Sequence, residues 1–244
     1  MKKTLLGLLA GILIVSSLPV AGVAQDADAI LAQMIEAQGG RKVLESLKDT
    51  TITGTMELVQ QGMNATMTMY QKEPNFMRMD LEIMGMVITQ AYDGQKGWYL
   101  NPQTGTAQEM DENMNKEFKR QALGNDSLLN PAKYGITYAY KGKEKVADKE
   151  YLALEQTMSD GHKSTLYIDP DTHLTARAKT TALSQMGGGE VQSETIFGDY
   201  RKEGDAMVAH TMTILQDGAE FARMTLTKVT FNSGLEDSLF QMSK

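Results

Sequence analysis

From Thr50 onward the chain alternates apolar and polar residues with a period of two, and between turn signals it does so almost to its end. Ile52, Gly54, Met56 and Leu58 alternate with Thr51, Thr53, Thr55 and Glu57. Beyond Gln61-Gly62, Met63, Ala65, Met67 and Met69 alternate with Asn64, Thr66, Thr68 and Tyr70. Beyond Glu73-Pro74-Asn75, Met77, Met79, Leu81 and Ile83 alternate with Arg78, Asp80 and Glu82. Successive side chains of a strand point to opposite faces, so each run is a strand with one apolar and one wet side. Turns this short join antiparallel neighbours. The pattern is that of an antiparallel meander.

The meander continues from Met86 to Tyr92, turns at Asp93-Gly94, resumes at Gly97-Trp98-Tyr99-Leu100 and breaks after about Met110. Met110, Met114, Phe118 and Ala122 at i, i+4 spacing predict a helix over Asp111 to Leu123, and Asn125 to Gly135, with Pro131, reads as irregular. Strands return from Ile136, with turns at Ser159-Asp160-Gly161, Asp169-Pro170-Asp171, Gly187-Gly188-Gly189, Glu203-Gly204-Asp205 and Asp217-Gly218. In the last strand Ala222, Met224 and Leu226 share one parity and Val229 and Phe231 the other, the mark of a β-bulge. Glu236 to Phe240 closes the chain as a helical turn.

Ahead of the sheet, Ile30, Leu31, Met34, Ile35 and Ala37 fall at helical spacing behind Asp26 or Asp28 as cap, with Gly39-Gly40 as the stop. A shorter helical stretch follows with Val43, Leu44 and Leu47 on one side. The expected fold is mainly β: about ten or eleven antiparallel strands, an N-terminal helix and a central helical insertion. A sheet of that size must curl or split. Curled, its apolar face is concave and the helices cross its mouth. No repeat or linker interrupts residues 25–244, which read as a single domain.

Residues 1–24 read as a cleaved secretory signal: Met1-Lys2-Lys3, then 12 residues from Thr4 to Val15 without a charge, then a small-residue site ending in Ala24. A bilayer span needs about 20 apolar residues, so this run is too short to be one. Cleavage removes two lysines and takes the net charge from −7 to −9. An acidic exported chain without a basic run is a poor partner for nucleic acid. The chain has no cysteine, which excludes disulfides, thiolate metal sites and a lipid-modified cleavage site.

No catalytic constellation emerges. His162, His173 and His210 fall on separate hairpins, Gly187–Gly189 lacks the Lys-Ser or Lys-Thr of a phosphate loop, and Asp169-Pro170-Asp171 lacks the remainder of a calcium loop. Neither a cofactor nor a metal site is expected, and the chain is read as a non-enzyme. Methionine is the unusual residue: eight of the 18 lie from Met56 to Met86, with Met-x-Met pairs at Met67/Met69, Met77/Met79 and Met84/Met86. Residues i and i+2 of a strand point the same way, about 6.6 Å apart. Such a patch can fill a core poor in aromatic residues, line an apolar cavity that repacks around flexible ligands, or bind a soft metal such as Cu(I).

Ala29…Met34-Ile35…Gly39-Gly40, Tyr92-Asp93-Gly94-x-x-Gly97-Trp98, Tyr167-Ile168-Asp169-Pro170-x-Thr172-x-Leu174, Phe197-x-Asp199-Tyr200 and Asp237-Ser238-Leu239-Phe240 occur in that order. Together they resemble the bacterial outer-membrane lipoprotein-sorting, or LolA-like, carrier family from about Asp26 to the C-terminus. The resemblance implies a half-open antiparallel barrel with helices as a lid over an apolar cavity, and a role in ferrying lipid-anchored proteins across the periplasm by their acyl chains. Other members sense envelope stress or bind other lipids. Dedicated carriers hold the lid with an arginine inside the cavity, whereas Arg78 here alternates onto the wet face.

The expectation is a periplasmic lipid-binding carrier, soluble after cleavage, acting as a transport chaperone towards the outer membrane. Its partners are acyl chains of lipoproteins or lipids and an inner- or outer-membrane protein. The expected lining is Ile52, Met56, Leu58, Met67, Met69, Met77, Met79 and Leu81, extended by Trp98 and Leu100, with the Met114/Phe118 helix as cover. A regulatory envelope module of the same fold and a Met-rich copper-binding protein are the alternatives.

Overall fold

The computed structural model describes residues 21–184 and 189–242. Thirteen strands form one antiparallel sheet. A first meander comprises β1 (Asp49–Leu58), β2 (Met63–Lys72), β3 (Phe76–Ile83), β4 (Met86–Asp93), β5 (Gly97–Leu100) and β6 (Ala107–Glu109). A second comprises β7 (Thr137–Val146), β8 (Lys149–Thr157), β9 (Lys163–Ile168), β10 (Thr175–Leu183), β11 (Glu190–Glu203), β12 (Ala206–Gln216) and β13 (Ala219–Phe231). The ladder between β1 and β13 joins them, and the edges, β6 and β7, do not pair with each other. The sheet is open, as a half-barrel requires. Among the described residues the strand count is thirteen rather than ten or eleven, because β6 is a further short strand and the stretch from Ile136 to Ser159 folds into two strands, β7 and β8.

The predicted bulge is present. Thr53 pairs with Lys228 but Gly54 pairs with Leu226, leaving Thr227 as the extra residue. A bulge increases local twist and bends the sheet.

Helix α1 (Ala21–Ala37) begins ahead of Asp26 and Asp28, so neither caps it in the uncleaved chain. The segment 1–20, most of the predicted signal, lies outside the described residues. The helix ends as expected at Gly39 (φ 120°) and Gly40 (φ 86°), where the Gly40 amide donates to Ile35 O at 2.9 Å. A Cβ on Gly39 would lie 2.5 Å from the Asp205 carbonyl, so this glycine lets the helix end seat on the β11–β12 turn. There the Met207 amide donates to Gln38 O at 3.0 Å. One face of α1 (Ala27, Ile30, Met34) packs on Leu154 and Ile168, and Leu31 and Ile35 pack with Leu44 of α2 (Arg41–Ser46). Each buried aliphatic side chain contributes about 1.5–3 kcal/mol before entropy costs, which is enough to fix the helix on the sheet.

The insertion between β6 and β7 holds α3 (Glu112–Gln121) and α4 (Asn125–Leu129), followed by a 3₁₀ turn over Pro131–Tyr134. Residues 125–134, expected to be irregular, are thus two short helical pieces. Glu73 satisfies the first amides of α4, accepting from Asn125 N at 2.6 Å. No helix among the described residues is long and apolar enough to cross a membrane.

Candidate functional site

Strand register sorts the concave face into rows. Val229, Ile52, Met69, Met79, Gln90 and Tyr99 lie side by side; the next row holds Leu226, Gly54, Met67, Leu81 and Ile88; the third holds Phe197, Met212, Met224, Met56 and Ala65. The period-2 alternation of eight strands thus converges on one greasy surface, with unbranched thioethers at its centre. Such side chains repack without strain.

Two helices roof this surface at its flanks. Asp111 caps α3, its Oδ1 accepting from Met114 N at 2.9 Å. The stripe of Met110, Met114, Phe118 and Ala122 then packs on Met77, Tyr92 and Tyr99. On the other flank α1 covers Leu152, Leu154, Leu166 and Ile168. Between the roofs Met56, Ala65, Met67, Ile83, Ala222 and Leu226 form a buried floor, while Ile52, Leu58, Met79, Leu81, Ile214 and Met224 are only half-buried. Between the two helices this face is thus packed at its centre and half-buried around it.

The predicted lining residues divide accordingly. Ile52, Leu58, Met69, Met79 and Leu81 are half-buried on the concave face, whereas Met56, Met67 (0% exposed) and Met77 are buried within it. Met114 and Phe118 lie on the roofing helix, Phe118 fully packed. Trp98 and Leu100 do not extend this surface. Trp98 pairs with Ala91, and Ala91 with Arg78, which puts it on the convex side; Leu100 follows with the same parity. The Trp98 Nε1 donates to Phe240 O at 2.7 Å, Arg78 Nη1 donates to Leu239 O at 3.0 Å, and the Phe76 and Phe240 rings lie 5.4 Å apart. The expected wet face is therefore covered here by the C-terminal segment, whose 3₁₀ turn spans Asp237–Leu239. Met84 and Met86 are not a same-face pair either. They flank the β3–β4 turn, Met84 at φ 53° and 85% exposed.

The sequence pattern did not single out two features of the site. His210 is buried, its Nδ1 3.3 Å from Leu226 O and its Nε2 3.0 Å from Glu203 Oε1. Its parity with Met212 was the available signal. Among the described residues, no group of three or more His, Asp or Glu is placed to hold a metal ion.

The second feature is a cleft of about 500 Å³ between α3, the β8–β9 turn and the β10–β11 end of the sheet. Arg120 on α3 donates through Nη1 to Asp160 at 2.7 Å and through Nη2 to Glu117 at 2.6 Å. Burial alone would lower the Arg120 pKa, but the bonds to Glu117 and Asp160 outweigh it and hold the proton more firmly. Arg120, rather than a strand residue, is the arginine that ties helix to sheet; its partner lies 40 residues away, beyond any local pattern. His162 Nε2 lies 2.7 Å from Thr180 Oγ1, and burial pushes its pKa below the ordinary histidine value.

An antiparallel sheet that curls without closing, roofed by helices on its apolar side, defines the class. No family model matches the sequence, and no curated protein does. Solved structures match over most of their length. A domain classed as an outer membrane lipoprotein-sorting protein from Vibrio parahaemolyticus is 17% identical with a TM-score of 0.59, covering 88% of this chain and 97% of its own. A DUF1329 family protein from Desulfovibrio piger ATCC 29098 is 15% identical at 0.59, with the same coverage, and a LolA superfamily protein from Nitrosomonas europaea is 12% identical at 0.58, covering 90% and 97%. The fold is that of the LolA-like, outer-membrane lipoprotein-sorting proteins.

Proposed function

We propose that this protein is a periplasmic, non-enzymatic carrier that holds the acyl chains of lipids or lipoproteins against its concave face for transfer towards the outer membrane. The observation that carries the reading is the continuous apolar face of the open sheet, on which Ile52, Met79, Leu81 and Met224 are only half-buried by the protein's own side chains. The fold of the lipoprotein-sorting proteins and the signal-like residues 1–24 support the same reading and an extracytoplasmic place. Covering several hundred Å² of tail gives on the order of 10 kcal/mol at about 25 cal/mol per Å², before ordering costs. Release then requires α3 to move or a partner protein of the envelope to take the tail.

Contact-range fluorescence quenching tests the reading, because Trp98 is the only tryptophan and sits on the far side of the sheet. Lipids with brominated acyl chains should leave Trp98 of the wild type unquenched. They should quench the indole introduced by Met79→Trp in a Trp98→Phe background. Quenching of Trp98 alone, or of neither, defeats the proposal.

A further inference from the structure

The concave face changes character near the cleft. Tyr138, Gln156, Ser164, Thr180, Ser193 and Gln216 are cross-strand partners in one continuous row from β7 to β12. All six are uncharged hydrogen-bonding side chains. Their bonds to one another, Gln156 Nε2 to Tyr138 OH at 2.8 Å and Ser164 Oγ to Thr180 Oγ1 at 3.1 Å, place these partners on one face. Two residues along each strand, about 6.6 Å away, the row becomes Tyr140, Leu154, Leu166, Ala178, Thr195 and Ile214. The surface steps from polar to largely apolar in one stride, and His162 ties the polar row to the cleft through Thr180.

The cations at the cleft are already engaged. Arg120 is engaged by Glu117 and Asp160, and Lys116 Nζ by Glu112 at 2.6 Å. Among the described residues lining it, Lys116 and Arg120 face three carboxylates, Glu117, Asp160 and Glu190. A phosphate entering here meets excess negative charge and no uncommitted cation, whereas ester, amide and hydroxyl groups meet donors and acceptors of their own kind.

We infer that the lipid held by this protein is an acyl glyceride whose head carries no net negative charge, its ester and hydroxyl groups lying on the Thr180 row beside the cleft. The inference rests on the tail-holding reading above and names the class of lipid for it. The test uses the full chain and two chain-matched soluble lipids, dihexanoylglycerol and dihexanoylphosphatidylglycerol, each displacing an uncharged fluorescent probe. The neutral lipid should bind about tenfold more tightly at low salt, and the gap should shrink as salt is added. The double variant Glu117→Gln/Asp160→Asn uncovers Arg120 and should close the gap by about tenfold. Thr180→Val should weaken the neutral lipid severalfold. Equal binding of both lipids by the wild type, or a gap that neither variant moves, overturns the head assignment and leaves tail binding standing. Failure of both lipids to displace the probe overturns the tail-holding reading itself.

Discussion

Gly54 lies in the ladder that sews the two meanders together, and replacing it with alanine should loosen the whole sheet. A Cβ at Gly54 would stand 2.3 Å from the Thr225 carbonyl oxygen and 3.1 Å from the Leu226 Cα. A Cβ essentially never approaches a non-bonded heavy atom closer than 3.0 Å, so the carbonyl must retreat by at least about 0.7 Å, the difference between 3.0 and 2.3 Å. Both obstructing atoms are backbone, and no rotamer change relieves them. Retreat stretches the β1–β13 hydrogen bonds beside the bulge at Thr227, where each lost bond costs about 0.5–1.5 kcal/mol and overpacking adds about 1–3. The ordinary gain of alanine over glycine in a strand, about 0.5–1 kcal/mol, offsets part of this. The net expectation is a loss of about 2–3 kcal/mol, or roughly 5–10 °C in Tm for a chain of this size.

Gly97→Ala is the control. Its Cβ would fall 2.5 Å from Met110 Sδ, the flexible end of a side chain on the roofing stripe, and that sulfur can swing aside for about 1 kcal/mol or less. Urea unfolding followed by circular dichroism should show a lower midpoint at unchanged slope for Gly54→Ala, and little change for Gly97→Ala. If Gly54→Ala unfolds at the wild-type midpoint, or the order of the two is reversed, the close backbone approach is not what holds the halves together.

Trp98→Phe leaves the buried Phe240 carbonyl without its donor and should cost about 1–3 kcal/mol in thermal melts, with faster proteolysis at the C-terminus; an unchanged melt refutes the assigned clamp. Asp49 is pulled both ways, burial raising its pKa and hydrogen bonds from Ser233, Gly234 and Leu235 lowering it further, so the folded value lies below 3.8. Its contribution to stability is therefore complete above that value and lost as the pH falls through the folded pKa; Asp49→Asn should flatten the stability profile below about pH 5, and an unaltered acid limb counts against it. Met67→Leu with Met69→Leu should leave lipid affinity within about twofold, since the swap conserves volume, while abolishing any Cu(I) binding measured by competition with a chromogenic chelator. Loss of lipid binding in that variant would show that the thioethers do more than fill space.

The meander was legible because alternation is enforced wherever one face is buried, as at Met63–Met69 and Met77–Ile83, and because Gly39-Gly40 and Asp93-Gly94 mark sharp ends. Parity also disclosed the bulge. Local pattern failed where a distant segment decides the environment. Trp98 looks like part of a greasy run, yet Phe240, 142 residues later, claims its indole from the other side. Ser164, Thr180 and Ser193 carry no local signal of their own, and only register reveals that they share one polar band on the inside of the sheet. Nothing near Arg120 in the chain marks its role, because the β8–β9 turn brings Asp160 to it from 40 residues away.

These misreadings have a common cause with a consequence for function. A half-open sheet must bury apolar surface on its concave side without filling it; here α1 packs on β7–β9, while α3 packs on β3–β5 and reaches the β8–β9 turn through Arg120. The convex side is stabilised separately, by the C-terminal segment over Phe76, Arg78 and Trp98. That second anchoring lets the concave wall stay partly uncovered without the first meander losing its seat. Stability and capacity are thus divided between opposite faces of β3 to β5. Substitutions under the C-terminal clamp should change melting and spare binding, while those at Ile52, Met79 or Leu81 should change binding more than melting. A single packed core serving both ends could not separate the two responses.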